Sequence, residues 1–221
     1  MKVQMKKKKY LTGIVAVMAA VTVVWAVAVS LRSGASYVAT VHKPGAAIRV
    51  GGREMWTSIS GTYAARNIQG MAVVDTYLDV EASLGLRRGQ IPYMTVSDID
   101  ERACPKETQH IRAVVEAMGG GTVEALLDIS LDARKKGKFI RTPKGFARVA
   151  VGLPVQNGLS QRVYVICVRP DGEVIVMQDT DANPDTVTFN VQAGKAVYAI
   201  VTGHKPPLRL LHNNGLYGTM L

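Results

Sequence analysis

Cysteine is scarce in this chain of 221 residues, which contains only Cys104 and Cys167. One disulfide is therefore the most that the chain can form internally, and two thiols so far apart in sequence do not establish that their Cα atoms lie within about 7 Å of each other. Cys167 lies in an apolar run and is predicted to be a buried small side chain. Cys104 precedes a predicted helix, but no base lies at a useful helical spacing from it, so a catalytic thiol is not predicted.

Sequence motifs of enzymes and metalloproteins are also missing. The four histidines are too dispersed for an HExxH motif or for another paired spacing of zinc ligands. No GxSxG nucleophile elbow is present, and the glycine triplet 119–121 follows a predicted helix, whereas a phosphate-binding loop leads into one. An LPxTG sorting motif is absent, so covalent wall attachment is not supported. We therefore predict no catalytic residue and no cofactor.

Charge is absent from a long run near the N-terminus. Residues 10–31 contain no charged side chain and directly follow four lysines at positions 6–9. As a helix, this run is long enough for the roughly 30 Å of a bilayer's hydrocarbon core, and the lysines favour the cytoplasmic side. The run is predicted to be either a retained membrane anchor or a cleaved signal peptide, since Ala26-Val27-Ala28 has the A-x-A pattern of a cleavage site. In both cases we expect residues 32–221 outside the cytosol.

Acidic residues are fewer than basic residues, and the formal net charge is +10. A basic exported domain is attracted to anionic wall polymers or lipid head groups, although salt screens exposed charges beyond about 8 to 10 Å. Nucleic acid is not predicted as a partner, because the basic residues are scattered and no aromatic residues interleave their one dense group. That group is expected in a solvated hairpin turn and consists of Arg134, Lys135, Lys136 and Lys138.

The segment 61–121 is predicted to be a small α+β region. A helix capped by Asp75 or Thr76 is expected to run to Leu84, and the clearest helix starts at Pro105, whose fixed φ suits a first turn. The flanking segments show less pattern: residues 32–60 are predicted to be a juxtamembrane spacer and residues 204–221 a tail.

From residue 122 onward the pattern is β. Short runs of β-branched and apolar residues, separated by turn signals such as Pro170-Asp171-Gly172, predict a sandwich over residues 122–203. The predicted fold class is therefore α+β and mainly β, with an N-terminal transmembrane or signal helix, a small α+β region and an antiparallel β-sandwich. The predicted strands are 123–131, 139–141, 146–153, 162–168, 173–178, 186–191 and 195–201.

Several of these stretches carry a resemblance to known proteins. Gly152-Leu153-Pro154, residues 163–168, Asp171-Gly172, residues 179–189 and residues 196–201 resemble a β-sandwich module of exported surface proteins from Gram-positive gut anaerobes. Upstream stretches resemble segments that precede this sandwich: Gly61-Thr62-Tyr63, residues 70–73, residues 84–86, Pro92-Tyr93 and residues 98–100. The matching motifs are structural rather than catalytic. The resemblance implies an exported surface protein of a family without an assigned activity.

One acidic turn is the best candidate for a metal site. Alternating oxygen-bearing side chains can place hard ligands around Ca²⁺. The turn departs from an EF-hand, because Pro184 stands where that loop has glycine and Asn190 stands where it has the bidentate glutamate. Asx turns, in which side-chain oxygens accept nearby backbone N–H groups, explain the same residues more simply. The candidate ligands are Asp179, Asp181, Asn183 and Asp185.

A second acidic cluster consists of Asp98, Asp100 and Glu101. It is conceivable as the carboxylate pair of a hydrolase, but such a pair faces across a cleft at about 5 to 10 Å, which near-neighbours in sequence do not guarantee. Helix capping or loop solvation is the favoured interpretation.

Three functions remain open from the sequence. The first is a membrane-tethered or secreted surface module that is not an enzyme and binds a surface glycan or protein; the second is an exported hydrolase with an acidic site near Asp98 and Asp100; the third is a structural envelope spacer. A flat apolar or aromatic patch would favour binding. Trp56 and Tyr63 are the first aromatic residues to consider, although both are expected in the core.

Overall fold

The fold of the described residues is mainly β. The structure, a computed structural model, describes residues 37–41, 45–141, 144–153, 162–203 and 216–218. The predicted fold class is confirmed for this part of the chain, which is built from several sheets and two α-helices. The predicted transmembrane or signal helix at residues 1–31 lies outside the described residues. Within them, no helix is long and apolar enough to cross a membrane.

The elements follow the predicted order closely from residue 75 to residue 203. Thr76 caps the first helix, Pro105 starts the second, and each of the seven predicted strands is present. In chain order the elements are β1 (Tyr37–Val41), β2 (Ala46–Val50), β3 (Arg53–Thr57), β4 (Ser60–Ala65), β5 (Met71–Val73), α1 (Tyr77–Ser83), β6 (Ile91–Asp98), a 3₁₀ turn (Glu101–Ala103), α2 (Pro105–Ala117), β7 (Gly121–Lys135), β8 (Lys138–Ile140), β9 (Phe146–Gly152), β10 (Arg162–Val168), β11 (Val174–Gln178), β12 (Thr186–Gln192), β13 (Gly194–Gly203) and β14 (Leu216–Gly218).

A large sheet organises the fold. Its strands lie in the order β1-β4-β6-β7-β13-β10-β11-β14, and β8 pairs with β7. All neighbours are antiparallel except β4 and β6. The strand β6 lies in the predicted region 61–121, and its partner β7 lies almost wholly in the predicted region 122–203. The two regions therefore share one sheet and are not separate domains. The described residues all belong to one compact unit, Tyr37–Leu221.

The main hydrophobic core lies between the large sheet and a smaller sheet, β12-β9-β5. The period of two in β10 explains how the large sheet serves two cores: Val165 and Cys167 face the small sheet, whereas Ile166 faces the opposite side. Phe189 of β12 and Tyr198 of β13 meet in the main core, with ring centroids 5.8 Å apart. Burial of each such large side chain contributes roughly 1.5 to 3 kcal/mol.

The helix α2 covers only part of the other face of the large sheet. Ile111, Val114 and Met118 pack against apolar side chains of β7, β10, β11 and β13, which form a second core. The outward side chains of β4 and β6 are not among those of this core, and Ser97 is exposed. Among the described residues, α2 therefore does not cover the half of this sheet face that β4 and β6 form.

The segment predicted as a spacer is folded wherever the structure describes it. The strand β1 pairs with β4 at one side of the large sheet, and the β2–β3 hairpin packs over the small sheet through Ile48 and Val50. The hairpin approaches closely at Gly70, whose φ is 92° and where an added Cβ would lie 1.9 Å from the carbonyl oxygen of Arg49. The spacer prediction is thus wrong for residues 37–41 and 45–60. Of the predicted tail, residues 216–218 form β14, which pairs with β11.

Candidate functional site

The acidic turn between β11 and β12 is a series of Asx turns. The Oδ1 atom of Asp179 accepts the backbone N–H of Asp181 at 3.1 Å, and Oδ1 of Asp181 accepts that of Asn183 at 2.7 Å. Asn183 Oδ1 accepts the N–H of Asp185 at 3.1 Å. These are the hydrogen bonds of Asx turns, which were the simpler interpretation of this segment from its sequence.

The carboxylates of Asp179 and Asp181 also bind β12, and that of Asp185 contacts Arg53 of β3 at 3.6 Å. Asp181 Oδ2 accepts the hydroxyls of Thr186, at 3.2 Å, and of Thr188. Asp179 Oδ1 also accepts the backbone N–H of Thr188 at 2.9 Å. Burial raises the pKa of the Asp179 carboxyl. The hydrogen bonds that the carboxylate accepts lower this pKa, and the negative charge of Asp181 raises it. The described residues contain no group of three side chains placed to hold a metal ion.

The second acidic cluster is divided among three local roles. The carboxylate of Asp98 accepts the backbone N–H groups of Arg66 and Asn67, the latter at 3.2 Å. Asp100 caps the 3₁₀ turn by accepting the N–H of Arg102 at 2.8 Å. Glu101 forms an ion pair with Arg112 of α2 at 2.5 Å. Asp98 therefore holds the loop that follows β4, whereas Asp100 and Glu101 stabilise the loop that connects β6 to α2.

The two aromatic residues selected from the sequence have opposite positions. Tyr63 is buried in the main core, as expected. Trp56 was also expected there, which is wrong: it is 66 % exposed on the outer side of the β2–β3 hairpin. The side-chain period of β3 explains this, because Thr57, the next residue, points inward and is buried.

Polar side chains lie on the half of the large-sheet face that α2 does not cover. We call it the open face. Its side chains come from neighbouring positions of β4, β6 and β7, since Thr62 pairs with Thr95, Thr95 with Ser130, and Ser97 with Asp128. The open face consists of Thr62, Tyr93, Thr95, Ser97, Asp128, Ser130 and Asp132, with Lys195 of β13 at its border.

Hydroxyl and carboxylate groups of the open face are paired with one another. Thr62 Oγ1 and Tyr93 Oη lie 2.8 Å apart, and the Ser130 hydroxyl donates to Asp132 Oδ2 at 2.5 Å. Lys195 Nζ contacts Asp128 Oδ2 at 2.8 Å. The surface therefore carries both hydrogen-bond donors and acceptors, held in place by contacts with one another.

Arg134 lies between two aromatic rings at one end of the open face. Its guanidinium carbon is 3.7 Å from the ring centre of Tyr93 and 4.3 Å from that of Phe139. The rings of Tyr93 and Phe139 meet edge to face, with centroids 5.7 Å apart. Phe139 is 56 % exposed, whereas Tyr93 is buried. Such cation–π contacts hold the guanidinium in one orientation.

The β7–β8 hairpin carries the basic group that the sequence singled out. Lys136 and Gly137 both have positive φ, 49° and 78°, as a type I′ turn requires. The predicted solvated hairpin turn is confirmed, because Lys135, Lys136 and Lys138 are exposed. Arg134 differs, since it is half-buried against the two rings.

A second basic segment lies beside this hairpin. An added Cβ at Gly89 would lie 3.9 Å from Lys135 Cε, so the loop from α1 to β6 contacts the hairpin tip. Two hydrogen bonds close this loop. The backbone N–H of Gln90 donates to the carbonyl of Arg87 at 2.9 Å, and the backbone N–H of Arg87 donates to Gln90 Oε1 at 2.7 Å. We call the combined surface the tip patch; it consists of Arg87, Arg88, Ile91, Arg134, Lys135, Lys136, Lys138, Phe139 and Arg141.

The tip patch holds the whole positive excess of residues 32–221. Residues 84–91 and 133–141 contain seven basic residues and no acidic residue. The rest of residues 32–221 contains 15 basic and 17 acidic residues. The sequence interpretation missed Arg87 and Arg88 as neighbours of the hairpin, and it overlooked Phe139, which directly follows Lys138.

Comparison of the chain with protein-family models, with curated proteins and with solved structures finds no match. The resemblance to exported surface proteins therefore stays a prediction.

Proposed function

We propose that this chain is a cell-surface module that is not an enzyme and binds a surface glycan, and that residues 10–31 are its membrane anchor or export signal. The observation that carries the proposal is the open face with an exposed aromatic ring, Phe139, at one end. Sugars present hydroxyl groups that both donate and accept hydrogen bonds, and they also present apolar C–H surfaces. Hydroxyl and carboxylate side chains can bind the sugar hydroxyls, and an aromatic ring can pack against the C–H surfaces.

The shape of the site favours a chain-like ligand. The open face lies across β4, β6 and β7, and its polar groups follow the strand register rather than converging on one point. A polymer can contact several such positions at once, and each added contact raises the total affinity. Asp98 and Asp100, the residues of the alternative hydrolase hypothesis, are held in loop-capping contacts. We therefore prefer binding to hydrolysis or to a purely structural role.

Two exposed aromatic residues provide a matched test. The full-length chain in mild detergent is screened against an array of bacterial surface glycans, and the affinity for each hit is measured for the wild type, Phe139→Ala and Trp56→Ala. We expect Phe139→Ala to weaken binding at least tenfold and Trp56→Ala to leave it unchanged, with melting temperatures close to that of the wild type. Failure to bind any glycan, or a loss confined to Trp56→Ala, would contradict the proposal.

The proposed location has a separate test. External protease applied to intact expressing cells is expected to digest residues 32–221 when the leader is retained, and the culture medium is expected to contain them when it is cleaved. Complete protection of these residues inside the cells would contradict the proposed export.

A further inference from the structure

We infer that the tip patch binds the phosphate groups of a linear polymer of phosphodiester-linked sugars or polyols, whose hydroxyl-bearing units lie along the open face. The inference rests on the proposed glycan binding and specifies the class of glycan. It follows from the position of the patch, since Tyr93 and Arg134 join it to the rows of hydroxyl and carboxylate side chains.

The charge of the tip patch calls for an anionic partner. Lys135 and Lys138 are directly opposite each other on paired strands, and Lys136 follows in the turn. Like charges at such positions destabilise a hairpin. An anion bound at the tip would relieve this repulsion, and the acidic residues of the chain lie outside both segments of the patch.

Arg134 is suited to bind phosphate. Its guanidinium makes no hydrogen bond or ion pair with a residue that the structure describes, and its buried Nε has no hydrogen-bond partner there. Contacts with both rings restrict the orientation of the guanidinium before the ligand arrives. A planar guanidinium matches two phosphate oxygens in a way that a lysine ammonium cannot.

A lipid surface is a less suitable partner. Insertion into a bilayer requires apolar side chains that project beyond the charged ones. The hairpin instead ends in Lys136 and Gly137, and Phe139 lies opposite Arg134, one residue pair back from Lys135 and Lys138. The lysines would therefore meet head groups first and keep Phe139 away from the acyl chains.

Nucleic acid also fits less well. Proteins that bind single strands without sequence preference stack successive bases on aromatic side chains. Tyr93 is buried, and both Tyr93 and Phe139 are in contact with the Arg134 guanidinium, so only the exposed part of Phe139 remains for a base. The polyol units of a phosphodiester polymer need hydroxyl partners instead, which the open face supplies.

The test uses the full-length chain in mild detergent and a poly(glycerol phosphate) as the probe. We expect the affinity of the wild type to fall about tenfold or more between 50 and 200 mM salt, as release of counterions from several phosphates predicts. Lys135→Gln/Lys136→Gln/Lys138→Gln removes three of the seven basic residues of the patch and should lower the salt slope by about 1 for each lysine that contacts a phosphate. Arg134→Lys keeps the charge and should still weaken binding about tenfold, because the planar donor pair is lost.

A matched control removes the same charge elsewhere. The exposed residues Arg66, Arg102 and Lys106 are replaced together by Gln, and this variant should bind the polymer like the wild type. A wild type that binds a neutral glycan but not the poly(glycerol phosphate) would overturn the inference and leave the proposed function intact; binding to neither would remove both. The inference is also overturned if anionic vesicles or single-stranded DNA bind as tightly as the polymer at equal salt, or if the control variant loses binding as strongly as the lysine variant.

Discussion

Cys104 and Cys167 lie on opposite faces of the large sheet, Cys104 in the core under α2 and Cys167 in the core between the two sheets. Both thiols are free and buried. The sequence left open whether these two cysteines form a disulfide. In the folded chain they do not, because the sheet separates the two sulfur atoms.

Both thiols should consequently be inert in the native state. Burial raises the pKa of the Cys167 thiol to about 12, despite a hydrogen bond with Tyr198 that acts in the other direction, and the thiolate is the reactive form. We expect alkylation by iodoacetamide at neutral pH to be slow in the folded protein and fast in urea, and the melting temperature to be the same with and without reductant. A faster-migrating band without reductant on a denaturing gel would contradict this.

Replacing Asp181 tests the role of the acidic turn. Asp181→Ala removes the acceptor for the hydroxyls of Thr186 and Thr188, and leaving such groups unpaired costs about 1 to 3 kcal/mol each at most. Urea unfolding should show a loss of about 2 kcal/mol. The control is Asp171→Ala, whose carboxylate accepts the N–H of Glu173 in an exposed turn, and this variant should cost less. Millimolar calcium should leave the wild-type melting temperature unchanged; a rise of several degrees would restore the calcium hypothesis.

The Asp179 carboxyl should make stability depend on pH. Its pKa in the folded chain is raised above the ordinary value of 3.8, mainly by burial. A raised folded-state pKa contributes stability that is fully present below pH 3.8 and is lost as the pH rises through the folded-state value. Asp179→Asn keeps an acceptor for the N–H groups of Asp181 and Thr188 but cannot ionise. The variant should therefore gain in unfolding free energy relative to the wild type between about pH 3 and pH 7. A difference that stays constant over this range would contradict the assignment.

Two glycines with positive φ should respond very differently to alanine. Gly52 has a φ of 79° with open space around it, so Gly52→Ala should cost only the backbone strain, about 1 to 2 kcal/mol. Gly70 has a φ of 92°, and its added Cβ would collide with the carbonyl of Arg49, so Gly70→Ala should cost about 4 kcal/mol or more. The comparison is made by urea unfolding. Equal losses would show that the β2–β3 hairpin does not pack tightly on the strand that follows Gly70.

The sequence predicted local structure well and strand partners poorly. The elements of the C-terminal half follow from alternating burial and turn residues, which are local signals. The pairing of β4 with β6 depends on contacts between distant segments, which no local signal specifies. The strand β1 was missed because a short strand in a segment of small residues becomes visible only through its partner, β4.

The candidate site shows the same limit. The hairpin at Lys136 could be predicted from its own residues, whereas the approach of Arg87 and Arg88 depends on the pairing of β6 with β7. Trp56 was placed on the wrong side because aromatic residues are usually buried, although the strand period alone fixes which neighbour points inward. Phe139 had a sequence signal in its position next to Lys138, but its contact with Arg134 required the register.

The turn of residues 179–185 also occupies the free side of the strand β12. The backbone N–H and carbonyl of Thr188 point away from β9, where a further strand could pair, and they are taken instead by Asp179 and by the backbone and hydroxyl of Thr180. An unpaired sheet edge invites addition of a strand from another molecule and hence aggregation. At its midpoint this edge is closed by a negatively charged loop, so that many copies crowded side by side can remain separate molecules.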